Sequence, residues 1–93
     1  MIAQHKILEK LFMDSQFRWL DVTVWYADRQ AVGDTARVSG KDIINIGAEY
    51  MEVHTQWGNN SIPYSRVIRI AYENKLVWEY GAKAKSKAQE KKG

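Results

Sequence analysis

The sequence predicts an α+β fold, with an N-terminal amphipathic helix packed on a curved, mainly antiparallel sheet of about five strands. Three observations predict it. One stretch at helical spacing opens the chain, and from Leu20 onward short β-branched and aromatic runs take over. Tight turn signals, not long crossovers, separate those runs. The 93 residues suffice for one compact domain, expected over residues 1–80, with a basic tail over residues 81–93.

The opening segment places Ile7, Leu8, Leu11 and Phe12 on one helical stripe, with His5, Lys6, Glu9 and Lys10 opposite. Asp14, Ser15 and Gln16 end it. The run DVTVWYAD is apolar on both faces (Val22, Val24, Tyr26 and Thr23, Trp25, Ala27), which predicts a central strand covered on one side by the helix. Residues 29–35 contain Gly33 and Asp34 and read as a loop, and 36–39 as a short strand closed by Gly40. KDIINIG fits either a helical turn or a bent strand. EYMEVHTQW alternates, with Met51, Val53 and Trp57 on one side and Glu52, His54 and Gln56 on the other, as in a half-exposed strand.

Gly58, Asn59, Asn60 and Ser61 read as a turn. VIRIAY then makes a strand with Ile68, Ile70 and Tyr72 on one face, and Glu73, Asn74 and Lys75 turn it into LVWEY, where Leu76, Trp78 and Tyr80 share a face. Pro63, the single proline, is expected at an edge, a strand start or a bend, because it cannot donate to a ladder. A core this small needs large side chains, and four Trp and five Tyr are expected to supply much of it.

Charge is unevenly placed. The chain is +3 overall, but residues 81–93 hold five lysines against Glu90, a balance of +4, which leaves residues 1–80 at −1. The tail GAKAKSKAQEKKG has no large apolar residue to dock, so it reads as a disordered or transiently helical segment. It adds salt-sensitive attraction to a polyanion without choosing a sequence. The chain has no cysteine, which removes disulfides, thiolate zinc sites, iron–sulfur clusters and a cysteine nucleophile. No apolar run reaches the roughly 18 residues of a membrane span, and charged residues interrupt any signal-peptide stretch. A cytoplasmic protein with no membrane partner is therefore expected.

Cofactor and metal signals are missing. His5 and His54 lie on different elements without HxH or HExxH spacing, and neither GxGxxG nor GxxxxGK[ST] occurs, so no cofactor and no metal is expected. Ser65, His54 and Asp28 contain the residue types of a triad, but no serine has the surroundings of a nucleophile elbow. What remains is cationic and aromatic. Arg29 directly follows the central strand, Arg37 lies beyond the next loop, and Arg66 and Arg69 flank the proline segment. Guanidinium forks suit phosphate oxygens, and an exposed Tyr or Trp can stack on an unpaired base. Arg29, Tyr64 and Arg66 could hold an RNA end by that logic. Alternatively, Asp28 and Arg29 fix a strand-to-loop corner and Arg66 pairs with a carboxylate at the core edge. Trp78 at strand spacing reads as core.

Read in order, ILEKLF…FRW, VWYADRQAVGD, RVSGKDI, IPYSRVIRI and LVWEY resemble the RNA cyclic group end recognition domain family. The resemblance covers nearly all of residues 5–80. Family members show an arginine-tryptophan step after a helix and a strand ending in Asp-Arg or His-Arg before a glycine-containing loop. An Ile-Pro-x-His-Arg-Ile segment and a closing Val-Trp follow. Here Asp28 and Arg29 match the strand-end pair, Ile62, Pro63, Arg66 and Val67 match the proline segment, and Trp78 matches the closing tryptophan.

The resemblance implies recognition of RNA termini, among them 2′,3′-cyclic phosphates, in RNA processing or repair. It makes Asp28, Arg29, Tyr64, Ser65 and Arg66 the candidate RNA- and phosphate-binding set. One position departs: Ser65 stands where the family has histidine, and a hydroxyl cannot carry a proton at neutral pH as imidazole can. The expectation is thus an RNA-binding module without catalytic residues. The alternatives are a phosphoesterase acting on RNA ends, which needs His54 or Asp28 beside Ser65, and an adaptor docking to RNA-processing proteins.

Overall fold

A computed structural model of the chain describes residues 2–80; the expected basic tail lies outside the described residues. The first element is helix α1, Ala3–Met13. Among the described residues seven strands follow: β1 (Val22–Ala27), β2 (Thr35–Ser39), β3 (Ile43–Ile46), β4 (Tyr50–Thr55), β5 (Gly58–Pro63), β6 (Val67–Tyr72) and β7 (Lys75–Glu79). They form two antiparallel sheets, one in the order β2-β1-β6-β7 and one in the order β3-β4-β5. The α+β class, the helix and the antiparallel pairing are as the sequence predicts. Among the described residues the strands number seven rather than about five, and they divide between two sheets.

The extra strands have identifiable causes. KDIINIG resolves as a single 3₁₀ turn, Gly40–Asp42, leading into β3. The polar run after Trp57 is itself strand β5, not a turn. Gln56 and Trp57 make the reversal, and Thr55 pairs directly with Gly58. A polar edge strand with few β-branched residues looks like a loop in sequence, because its partner's register holds it and its own propensity does not.

Cross-strand pairing buries one side of each strand. Val22, Val24 and Tyr26 of β1 join Leu8 and Leu11 of the helix, Met51 and Val53 of β4, and Val67 and Ile70 of β6 in one core. Alternation along β1 and β4 is the period-2 rule at work. The helix packs chiefly on β3 and on the 3₁₀ turn Tyr64–Arg66, so the inner face of β1 is shared with the second sheet rather than covered by the helix alone. Its buried stripe also differs from the apolar pattern. Gln4 and His5 are buried while Phe12 is exposed, because the Gln4 side chain donates to the Val67 carbonyl at 3.3 Å and His5 stacks on Tyr64. No tryptophan among the four is fully buried. The core is aliphatic with two tyrosines, and Trp19 and Trp78 pack at its margin.

Two glycine-dependent features set the framework. A side chain on Gly40 would have its Cβ 1.9 Å from the carbonyl oxygen of Trp19, so the 3₁₀ turns Trp19–Asp21 and Gly40–Asp42 can approach there only over a bare Cα. Gly33 takes φ +77° in the β1–β2 loop, a value that other residues adopt only with strain. The β6–β7 turn reverses through Glu73 and Asn74, both at positive φ, as in a type I′ hairpin.

Candidate nucleic-acid interface

The site begins with an irregularity in the ladder. Trp25 pairs with Arg69 but Tyr26 pairs with Val67, so Ile68 is an extra residue on β6. The bulge carries the chain from the 3₁₀ turn Tyr64–Arg66 onto the end of β1. There Arg66 donates two hydrogen bonds to the Ala27 carbonyl, from Nε at 3.1 Å and from Nη2 at 2.6 Å. The sequence offered a carboxylate as the structural partner of Arg66; the partner is a backbone oxygen instead. A guanidinium has five N–H donors, so three remain for a ligand.

Beyond Ala27 the chain turns sharply. The Asp28 carboxylate accepts the Gln30 backbone N–H at 3.0 Å, an Asx turn. The Asp28 N–H donates to the Asp34 carbonyl at 2.9 Å, and the Ala31 N–H to the Asp28 carbonyl at 3.1 Å. These bonds close the loop of residues 28–34 on itself. Arg29 sits on that corner, exposed and without a partner among the described residues. Ala27, Asp28, Arg29, Gln30 and Arg66 line an open recess of about 470 Å³. Two guanidinium groups and one carboxylate give its walls a net charge of +1. Those charges also reach the neighbouring Tyr26 hydroxyl, whose pKa burial raises, with Asp28 adding to the rise and Arg66 opposing it.

The five candidates divide between two recesses. Asp28, Arg29 and Arg66 come together as above. Tyr64 and Ser65 line a second recess of about 410 Å³ with His5, Glu49 and Pro63. The single 3₁₀ turn Tyr64–Arg66 separates them, with Arg66 lining the first recess and Tyr64 and Ser65 the second.

Tyr64 is not the exposed platform that the sequence suggests. It is 2% exposed, stacks on His5 with ring centroids 4.4 Å apart, and donates its hydroxyl to the Gly47 carbonyl at 2.6 Å. Burial pushes its hydroxyl up to about 12, with Glu9 contributing. Ser65 is exposed on the far side of the turn from the guanidinium groups. His54 meets neither Asp28 nor Ser65 in a recess; its Nδ1 lies 3.1 Å from Asn59 Oδ1 across the hairpin. Arg69 is an ion-pair partner of Glu79 at 2.9 Å and lies over the Trp25 ring, so it is committed to the sheet.

Trp57 is the aromatic whose alternation misleads. The pattern puts it on the core side with Met51 and Val53, yet it is 86% exposed because β4 ends at Thr55. The signal is the following Gly58, at φ +118°, which marks the end of a two-residue reversal.

Comparison with curated proteins and with solved structures finds no match for this chain. A family model does match, over residues 1–79, and it spans the helix, both sheets and the Arg29–Arg66 recess. On that match the chain belongs to the MJ1316 RNA cyclic group end recognition domain family, an RNA-binding family.

Proposed function

We propose that the chain binds RNA at its ends, with the recess at the end of β1 taking the terminal phosphate. The observation that carries this reading is the convergence of Arg29 and Arg66 on one open recess, although they lie on separate elements. Arg66 is held in place by the Ala27 carbonyl, so its remaining donors are aimed before a ligand arrives and little side-chain entropy is lost on binding. The family's recognition of cyclic ends points to a cyclic phosphate in particular. A 2′,3′-cyclic phosphate carries one negative charge, whereas a terminal monoester carries about −1.5 to −2 at neutral pH. A recess with net charge +1 attracts both, the dianion more strongly at equal distance, so a preference for the cyclic end would show recognition beyond charge.

Binding is favoured over hydrolysis because the two hydroxyls of the candidate set stay away from Asp28: Ser65 opens on the other recess, and the Tyr64 hydroxyl is bonded to the Gly47 carbonyl. An RNA-processing or repair setting and a cytoplasmic location form part of the same proposal. So does the tail as a source of sequence-independent attraction. The test is a titration of short RNAs ending in a 2′,3′-cyclic phosphate, a 3′-phosphate or a 3′-hydroxyl. The cyclic end should bind tightest. Arg29→Ala and Arg66→Ala should each weaken it about tenfold or more, in line with loss of charge-assisted hydrogen bonds. Equal binding of all three ends, or folded variants that bind as well as the parent, would refute the assignment.

A further inference from the structure

A third, larger recess of about 650 Å³ adjoins the phosphate recess and shares Asp28 and Gln30 with it. Its walls come from both sheets: Tyr26 and the β1–β2 loop on one side, and Thr55, Trp57 and Asn60 of the β4–β5 hairpin on the other. Taken together, the two recesses make a groove with a cationic end and an aromatic end, meeting at Asp28 and Gln30. Resting on the phosphate reading above, we propose that Trp57 is the stacking platform for the terminal base of the RNA whose end phosphate lies between Arg29 and Arg66.

Three features argue for this occupant. The indole is 86% exposed, while its backbone is pinned: the Trp57 N–H donates to the Thr55 hydroxyl at 3.2 Å, and that hydroxyl donates to the Gly58 carbonyl at 2.8 Å. A large apolar ring carried into solvent on a fixed turn is open to a ligand, and unpaired bases stack on such rings whatever their identity. Second, the groove supplies amide groups from Gln30 and Asn60 that can pair with a base edge, next to the apolar Val32 side chain, which is fully exposed. Third, the arrangement places a cationic site next to a stacking site, and a nucleotide carries its phosphate and base in the same relation. An RNA terminus uses both ends of the groove at once, its phosphate on the guanidinium groups and its base on the indole.

The test compares two six-nucleotide RNAs with a 3′-phosphate, one ending in adenosine and one in a stable abasic spacer, by fluorescence anisotropy at fixed salt. Trp57→Ala should weaken the adenosine-ended RNA about tenfold and leave the abasic one unchanged, and Trp57→Phe should restore most of the loss. Circular dichroism verifies the fold of each variant. If Trp57→Ala leaves both RNAs unaffected, or weakens both equally, the stacking role is overturned. Arg29→Ala, run in parallel, separates the two readings. Should it lose affinity while Trp57→Ala does not, stacking alone falls; should neither lose affinity, the phosphate site falls with it.

Discussion

The Arg66 guanidinium grips the Ala27 carbonyl with two hydrogen bonds, at 3.1 and 2.6 Å, and so ties the Tyr64–Arg66 turn to the end of a strand 39 residues earlier. One side chain closes the junction and faces the recess. Lysine keeps the charge but cannot make the same fork. Arg66→Lys is therefore expected to lower affinity for a phosphate-ended RNA about fivefold to tenfold, although net charge is unchanged. Parent-like affinity in that variant would mean that charge alone, not geometry, matters at this position.

Asp28 holds the loop through its carboxylate oxygen while its charge opposes an incoming phosphate. Asparagine retains the accepting oxygen and drops the charge. Asp28→Asn should therefore keep the thermal midpoint and raise affinity about threefold at low salt. The gain should be greater for a 3′-monoester than for a cyclic phosphate, which narrows the preference between ends. A fall in affinity would instead mark Asp28 as a direct acceptor from the RNA.

Gly40 lies against the Trp19 carbonyl, where a Cβ would come within 1.9 Å of a backbone oxygen. Backbone cannot swing aside as the tip of a flexible side chain does. Gly40→Ala should cost about 1 to 3 kcal/mol in urea unfolding, with RNA affinity per folded molecule unchanged. A midpoint equal to the parent's would show that the two 3₁₀ turns separate easily.

Tyr64 ionises only near pH 12 in the folded protein, against an ordinary value of 10.0. The unfolded chain releases that proton first as pH rises. The stabilising contribution is thus intact below pH 10 and is lost as pH climbs through 12, about 2 to 3 kcal/mol in all. Tyr26, also raised, adds in the same direction. Tyr64→Phe should flatten the decline in stability between pH 10 and 12 without abolishing it, and should cost about 1 kcal/mol at pH 7 for the missing bond to Gly47. An unaltered alkaline slope would contradict the sequestered hydroxyl.

Cutting the chain after Tyr80 removes five lysines. The slope of log affinity against log salt should shrink by about 0.7 for each phosphate of a single-stranded RNA that those lysines neutralise. The preference among RNA ends should be untouched, since the recess lies wholly within residues 27–66. A slope that does not move would show that the tail takes no part in binding.

The amphipathic spacing of Leu8 and Leu11, the β-branched run of β1 and the Glu73–Asn74 reversal were legible because each depends on neighbours a few residues away. Family membership was legible in the same way, from short pieces in a fixed order. Strand β5 was not, since a polar run becomes a strand only when β4 supplies its ladder. Nor were the positions of Tyr64 and Trp57. One looked available and is buried on His5, and the other looked like core and stands in solvent. A residue's exposure depends on which surfaces the two sheets bring together, and that is a long-range property. The sequence by itself therefore determined the fold class, the RNA-binding family and the guanidinium groups on offer. Only the tertiary structure decided that a bulge in β6 would set Arg66 beside Arg29, and that a two-residue reversal would hold an indole at the rim of the adjoining groove.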